Sequence, residues 1–174
     1  MSYETERIWI TKVGLRAACL VIVNDGRRWH RCGYVEVPEG HRLHGVDYND
    51  PLPDVPREVA ENAKIGKKSS ILALTAGCDA ADGDTIRRSA DVIFDCHGGI
   101  TYAGGGKGYP AKGAGWWFGF DCGHYDDGEI EPDPKWRSRE GIVRSQEYVE
   151  AECEQLAEQI VAMFPLSNNI EGEA

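Results

Sequence analysis

The chain lacks the sequence features that mark secreted, membrane-spanning or disulfide-bonded proteins. Its first residues have neither a basic segment nor an apolar core of signal-peptide length. No apolar run approaches the roughly 20 residues that a bilayer crossing requires. None of the six cysteines forms a CxxC pair, and most lie within apolar runs, as reduced core thiols do. We therefore expect a soluble cytoplasmic protein with reduced cysteines.

Basic residues are scarce relative to acidic ones. The sequence has 19 Lys and Arg against 29 Asp and Glu, which gives a net charge of −10 at pH 7. Nucleic acids and anionic membranes repel such a chain at long range, so we expect neither as a direct partner. At 174 residues the chain is long enough to bury its own core, and we predict a single domain over residues 1–174.

Established catalytic motifs are also missing. The HExxH motif, the paired HxE and PCxxC motifs of zinc deaminases and the GxSxG elbow do not occur. The glycines around Lys107 could hold a phosphate, but Thr101 and Gly108 stand where a P-loop needs its first Gly and its Ser or Thr. Pro110 and later glycines exclude the helix of a dinucleotide-binding fingerprint. The sequence therefore assigns no cofactor and no metal.

The first third of the chain predicts an N-terminal hairpin. Residues 17–23 form a continuous apolar run, and Asn24-Asp25-Gly26 can turn the chain into a returning strand over residues 29–37. Residues 41–56, rich in Gly, Asp, Asn and Pro, predict an ordered loop or a lid. Residues 57–63 predict a short helix that Pro56 begins. Within the stretch 65–89, residues 70–75 fit either a strand or a helix, and residues 77–84 predict an acidic turn.

The rest of the chain predicts a sheet with one covering helix. Residues 91–96 and 116–122 predict two central strands, joined by a Gly-rich loop over residues 103–115 that could form a mobile flap. Ser145 can cap a long C-terminal helix, whose apolar residues recur every three or four positions: Val149, Cys153, Leu156 and Ile160. We predict an α+β fold, with a mixed or antiparallel sheet and an N-terminal hairpin, covered by this helix.

Both predicted central strands end in an acid, a cysteine, a histidine and glycine. The first ends in Asp95-Cys96-His97-Gly98-Gly99 and the second in Asp121-Cys122-Gly123-His124. These endings predict one polar site at the edge of the sheet, in which His97 and His124 share a cavity.

Three kinds of chemistry remain open for this site. His97 and His124 could act with Asp121 as acid and base. They could instead bind a metal with Asp121, while Asp95 or Asp127 orients an imidazole. A third interpretation is ligand binding without catalysis.

The aromatic run before His124 could supply a stacking surface. In a strand, Trp116, Phe118 and Phe120 share one face and Trp117 takes the other. At least one face must be core. The other could stack against a purine or nicotinamide ring, which contributes about 1–3 kcal/mol per base.

Four stretches carry a resemblance to a known family: CGYVEVPEGH over residues 32–41, HGGITY over 97–102, WWFGFDCGH over 116–124 and YVEAEC over 148–153. In this order they resemble a family of small uncharacterised proteins common in phages and prophages. The resemblance implies a mobile-element origin, and therefore the cytoplasm of the host cell. It also draws attention to six residues: His41, His97, Gly98, Gly99, Asp121 and His124.

Our leading expectation is a non-enzymatic protein that captures a small polar ligand, above all a signalling nucleotide of host defence. The ligand-binding residues would be His41, His97, Gly98, Gly99, Thr101, Trp116, Trp117, Asp121 and His124. One alternative is a His/Asp-dependent hydrolase or transferase acting on a nucleotide-like substrate. Another is an acidic inhibitor of a host protein, which would use a helix face formed by Glu147, Glu150, Glu154 and Glu158. A homodimer that shares the site is compatible with a chain of this size.

Overall fold

The computed structural model describes residues 1–52, 55, 79–82, 85–87, 89–106, 108–135 and 141–166. Within these ranges the strands and helices are β1 (Ser2–Ile10), β2 (Arg16–Asn24), β3 (Arg27–Val37), β4 (Asp79–Asp82), β5 (Thr85–Arg87), α1 (Ala90–Ile93), β6 (Tyr102–Gly105), β7 (Trp116–Asp121) and α2 (Gln146–Met163). Five strands form one sheet in the order β1-β2-β3-β7-β6, in which every neighbouring pair is antiparallel. The predicted α+β fold is confirmed.

The N-terminal hairpin is formed by β2 and β3. Asp25 and Gly26 connect the strands, both with positive φ, as the turn residues predict. Cys32 and Tyr34 lie in the core on one face of the sheet, whereas Val35 lies in the core on the other. The strand ends at Val37, directly before Pro38. A third strand, β1, pairs with β2 and forms an edge of the sheet.

Helix α2 covers one face of the sheet. Ser145 caps it, since its hydroxyl accepts a hydrogen bond from the backbone N–H of Tyr148 at 3.2 Å. The predicted apolar stripe is buried and packs against β2 and β3. Gly33 permits this close packing, because a Cβ at that position would overlap the Phe120 ring and the Cys153 sulfur.

The connection from β6 to β7 packs against the opposite face. Tyr109 and Ala111 lie against a second buried cluster that contains Trp117. The Arg16 guanidinium lies 5.3 Å from the centre of the Trp117 ring and donates a hydrogen bond to the carbonyl of Lys112 at 2.9 Å. The described part of this connection is thus anchored to the sheet and does not form a flap.

Two local predictions are wrong. Residues 91–96 do not form a strand, since Ala90–Ile93 is a single helical turn and an irregular segment follows it. A short apolar run does not distinguish a strand from a buried helical turn. Residues 103–105, predicted as loop, belong to β6, where Ala103 pairs with Phe118. The sequence Ala-Gly-Gly has none of the β-branched residues that indicate a strand.

Several other predictions concern segments that are only partly described. The helix predicted over residues 57–63 lies outside the described residues, as does most of the stretch 65–89. Within the predicted acidic turn, Asp79–Asp82 forms β4 and pairs with β5. Residues 41–50 form successive turns, as predicted for a loop. No helix in the described ranges has both the length and the apolar character needed to cross a bilayer.

Candidate functional site

The structure brings the rings of His97 and His124 side by side. His97 lies in the loop after α1, and His124 lies in the turn after β7. The two ring centroids are 5.4 Å apart at an interplanar angle of 65°. A hydrogen bond of 2.8 Å from the Thr101 backbone N–H to the Gly119 carbonyl ties the first loop to β7. The rings therefore meet although their segments are distant in sequence.

Asp127 connects the two imidazoles. Its Oδ2 atom lies 2.8 Å from Nε2 of His97 and 3.4 Å from Nδ1 of His124. The same oxygen accepts a hydrogen bond from the His124 backbone N–H at 3.1 Å. The other oxygen, Oδ1, accepts one from Nε of Arg144 at 2.8 Å. Asp127 is only 2% exposed, so both oxygens are bound by protein groups away from bulk water.

These partners keep Asp127 ionised. Burial by itself would raise the pKa of the carboxyl group, because it disfavours the charged form. The hydrogen bonds from Arg144 and His97 outweigh burial and lower the pKa of Asp127 to about 2. Asp127 is therefore a carboxylate at neutral pH.

Helix α2 holds His97 from the other side. The Tyr148 hydroxyl lies 3.0 Å from Nδ1 of His97, and Glu152 accepts a hydrogen bond from the His97 backbone N–H at 2.7 Å. Tyr148 and Glu152 are four residues apart, so they project from the same side of the helix. Because Asp127 contacts Nε2, both ring nitrogens of His97 have partners. We refer to His97, His124, Asp127, Arg144 and Tyr148 as the Asp127 cluster.

Two glycines shape the loop beside His124. Gly98 and Gly99 both have positive φ, +71° and +91°. At Gly98 a Cβ would overlap the His124 ring, whereas at Gly99 it would meet open space. Glycine at position 98 is thus required both to leave room for the His124 ring and to adopt a positive φ, whereas at position 99 only the positive φ requires it.

The two histidines differ in accessibility. The His97 side chain is 7% exposed, whereas that of His124 is 33% exposed. The neighbouring Tyr125 is 90% exposed. His124 is therefore the imidazole that an incoming molecule reaches first.

Asp121 and Thr101 form a separate hydrogen-bonded pair at the end of β7. Asp121 accepts from the Thr101 hydroxyl and from the Gly123 backbone N–H, each at 3.0 Å. Among the described residues, the group with the spacing of metal ligands consists of His97, His124 and Asp127, not Asp121. The acid that contacts both imidazoles is thus Asp127, which the sequence predicted only as a residue that orients an imidazole.

Trp116 and Trp117 lie at the opposite end of β7. The strand begins at Trp116 and reaches Asp121 five residues later, about 17 Å away. Trp116 donates a hydrogen bond from its indole to the carbonyl of Val46 at 2.8 Å. Trp117 is buried in the second core cluster. Neither indole lies beside the Asp127 cluster.

His41 is also remote from the cluster. The Leu43 backbone N–H donates to its Nδ1 at 3.2 Å, so Nε2 carries the hydrogen and donates to the Phe164 carbonyl at 3.0 Å. Phe164 follows the C-terminal end of α2, about 24 Å along the helix from Tyr148. His41 therefore satisfies the end of the helix and is a core histidine.

The thiols beside the cluster are unsuited to nucleophilic attack. Cys96 and Cys122 are buried, and burial raises the pKa of each thiol well above its usual value. A thiol that stays protonated is a poor nucleophile and a poor metal ligand. The imidazoles and Asp127 are thus the reactive groups at this site.

Sequence reasoning missed Arg144, Tyr148 and Glu152. Arg144 directly precedes the helix cap, a position that usually faces solvent. Tyr148 and Glu152 did carry a signal, since they are polar residues at i and i+4 that flank the apolar stripe on α2. Such a pair beside a buried stripe indicates a polar contact to the neighbouring loop.

No family model, no curated protein and no solved structure matches this chain. The resemblance to phage and prophage proteins stays a prediction. The geometry of the Asp127 cluster is therefore the main indication of function.

Proposed function

We propose that the protein is a hydrolase or transferase whose catalytic centre is the Asp127 cluster. The observation that carries this proposal is the position of one buried, ionised carboxylate between two imidazoles. A carboxylate that orients an imidazole and stabilises its protonated form is the recurring arrangement of acid–base catalysis.

His124 is the proton-transferring group in this proposal. Its Nδ1 lies 3.4 Å from Asp127 Oδ2, without the geometry of a hydrogen bond, and the proposal requires a small rotation of the ring that lets Nδ1 donate to Asp127. Nε2 then takes a proton from water or from a substrate hydroxyl as that oxygen attacks. The same nitrogen returns the proton to the leaving group, and Asp127 stabilises the imidazolium between the two steps. The exposure of the His124 side chain allows a substrate to approach.

His97 and Tyr148 are positioning residues in the same proposal. His97 is nearly buried and is held at both ring nitrogens, by Asp127 and by Tyr148. It fixes the carboxylate orientation and, with Arg144, keeps Asp127 charged. Replacing His97 or Tyr148 should therefore change the pH dependence of turnover more than it changes the affinity of the protein for its substrate.

Ligand capture without chemistry is the second candidate function. The specific observation in its favour is Tyr125, whose ring is almost fully exposed beside His124 and can stack on a flat ligand. In this proposal the ligand is a small polar molecule such as a signalling nucleotide. The wider setting of a phage-encoded protein that acts against host defence in the host cytoplasm is proposed from the sequence resemblance alone.

A panel of cyclic nucleotides and ADP-ribose derivatives tests both functions. The native chain, H124Q and the matched control H44Q are incubated with each compound, and bound and free material is analysed by mass spectrometry. His44 is a suitable control, since its Nε2 contacts the Ala114 carbonyl and the residue lies outside the cluster. For an acid–base role we expect a new product, with kcat lowered about 10²–10⁴-fold in H124Q and unchanged in H44Q.

Two other outcomes would reject one or both of the proposed functions. Stoichiometric recovery of an intact ligand, with no product, would reject catalysis in favour of capture. If no compound is converted and none binds below about 100 μM, both functions are wrong for this ligand class.

A further inference from the structure

We propose that the Asp127 cluster binds a divalent transition-metal ion of the zinc type, through one nitrogen of each histidine and one oxygen of Asp127. The inference deepens the proposed hydrolase or transferase function and rests on the same site, but its test does not need turnover. A bound ion would take the one free lone pair of the His124 imidazole, so His124 would then be a ligand and no longer the proton-transferring group. It differs from the sequence-based metal hypothesis in the carboxylate, which is Asp127 and not Asp121.

The distances between the ligand atoms support this site. One nitrogen of His97, one of His124 and one oxygen of Asp127 all lie within 4.8 Å of one another. Ligand atoms about 2.0–2.1 Å from a tetrahedral zinc ion lie about 3.3 Å apart. The two separations from Asp127 Oδ2, 2.8 Å to His97 and 3.4 Å to His124, lie on either side of that value. The third separation, between the two histidine nitrogens, is at most 4.8 Å, so the rings would have to approach each other by up to about 1.5 Å to bind the ion.

The ligand set indicates which ions fit. Two imidazoles and one carboxylate suit zinc and neighbouring transition metals, whereas Mg²⁺ and Ca²⁺ prefer oxygen ligands throughout. Structural zinc sites normally use four protein ligands, and catalytic sites use three with water in the fourth position. Three ligands, with His124 partly exposed, therefore favour a site of the catalytic kind.

The surrounding residues support the ligands in the manner of metal sites. Metal-binding histidines usually donate a hydrogen bond from the nitrogen that does not bind the ion. Tyr148 lies at that nitrogen of His97, Nδ1, and Arg144 holds the Asp127 oxygen that would face away from the ion. In neutral His97 the single ring hydrogen would move from Nε2 to Nδ1 through solvent and donate to the Tyr148 oxygen. Nε2 would then present its lone pair, and no proton would be lost from the ring.

The test is metal titration of the full-length chain after treatment with a chelator. Zinc affinity is measured by competition with a chromophoric chelator, and Co²⁺ is used as a spectroscopic probe of coordination. We expect the native chain to bind one zinc ion with Kd below about 1 μM. H124Q should weaken binding at least tenfold, and Y148F about tenfold through loss of support for His97. H44Q should bind as the native chain does.

The variants are chosen so that unfolding is not mistaken for a loss of metal binding. D127N removes a buried charge and could unfold the chain, so H124Q, at a partly exposed residue, is the decisive variant. Circular dichroism of each variant establishes that it is folded. The inference is wrong if the native chain binds zinc with Kd above about 1 μM, or if H124Q binds it as tightly as the native chain.

Failure of this inference and failure of the proposed function give different results. Turnover by a metal-free chain that depends on His124 would keep the acid–base proposal and reject the metal. Tight zinc binding that depends on His124, with no substrate converted, would keep the metal site and reject the catalytic function.

Discussion

Asp127 joins three segments of the chain at one buried point. It contacts His97 from the loop after α1, His124 from the turn after β7 and Arg144 from the segment before α2. A buried carboxylate is tolerated only when partners replace its hydration, and here every contact is to a donor. Removing the charge leaves the guanidinium of Arg144 without its counter-ion and replaces one accepting oxygen by a donor, so Asp127 matters for stability as well as for chemistry.

Replacement of Asp127 by Asn should give a pH-dependent loss of stability. Because the pKa of the folded-state carboxyl group is lowered from 3.8 to about 2, its contribution is complete only above about pH 5 and is lost progressively as the pH falls toward about 1, most of it between about pH 4 and pH 2. A shift of this size corresponds to about 2 kcal/mol. We expect the difference in unfolding free energy between the native chain and D127N to narrow by most of that amount between about pH 4 and pH 2. Urea unfolding across this range measures it.

D126N provides the matched control, since it removes a neighbouring exposed carboxylate. The assignment of Asp127 as the buried ionised group would be contradicted if the difference in unfolding free energy between the native chain and D127N stayed constant with pH.

The adjacent glycines offer a second test at the residue scale. Both have positive φ, so alanine at either position should cost about 1–2 kcal/mol of stability. Only alanine at Gly98 would also overlap the His124 ring. We therefore expect the His124 side-chain NMR signals to shift strongly in G98A and little in G99A. Equal shifts in both variants would contradict the packing of the His124 ring on Gly98.

At the scale of elements, α2 has two roles. Its apolar stripe covers the sheet, and its first turns support the cluster through Tyr148 and Glu152. The acidic face of the helix is partly engaged with the N-terminal strand and the turn after it. Glu150 pairs with Arg7, and Glu154 accepts hydrogen bonds from the Trp9 indole at 2.9 Å and the Lys12 backbone N–H at 3.0 Å. Glu147 and Glu158 are exposed.

Charge reversal on this face separates structural from partner-binding roles. E158K should leave the midpoint of thermal unfolding nearly unchanged, because its side chain is exposed. E147K should lower it slightly, because Glu147 lies in the first turn of α2, where a carboxylate stabilises the helix and a lysine does not. E154K should lower it by several degrees, because it removes the contacts to Trp9 and Lys12. Differential scanning fluorimetry measures these effects. If the chain is an acidic inhibitor of another protein, E158K should weaken that binding without loss of stability.

At the scale of the whole molecule, the sheet separates two buried clusters that both contain cysteine. Cys19, Cys96, Cys122 and Cys153 lie on the side of α2, and Cys32 lies on the other side with Tyr34 and Trp117. Burial raises the pKa of every one of these thiols, and that of Cys32 reaches about 12. The described thiols are therefore core groups.

Thiol labelling should follow unfolding of the whole molecule. In a C78S background, which removes the cysteine outside the described residues, we expect the aromatic disulfide reagent DTNB to react slowly with the native chain. In guanidinium chloride it should react fast and with all five remaining thiols. Fast labelling of any thiol under native conditions would contradict its burial in the core.

The sequence by itself determined the features that depend on local pattern. The hairpin turn at Asp25-Gly26, the end of β3 before Pro38 and the capped amphipathic α2 follow from turn chemistry, backbone restriction and helical period. Each of these signals lies within a few residues of the element it specifies. The sequence also singled out His97 and His124, since both follow apolar runs and precede or follow glycine.

Only the tertiary structure decided which residues complete the site. Asp127 reads locally as part of a polar surface turn, and Arg144 as a residue before a helix cap, yet in the fold Asp127 is buried and the partly exposed Arg144 donates a hydrogen bond to it. Trp116 and Trp117 lie away from the cluster because they begin the strand that ends at Asp121, and His41 lies away from it at the C-terminal end of α2. Distances across the sheet depend on strand order and helix placement, which arise from long-range contacts that no short stretch of sequence encodes.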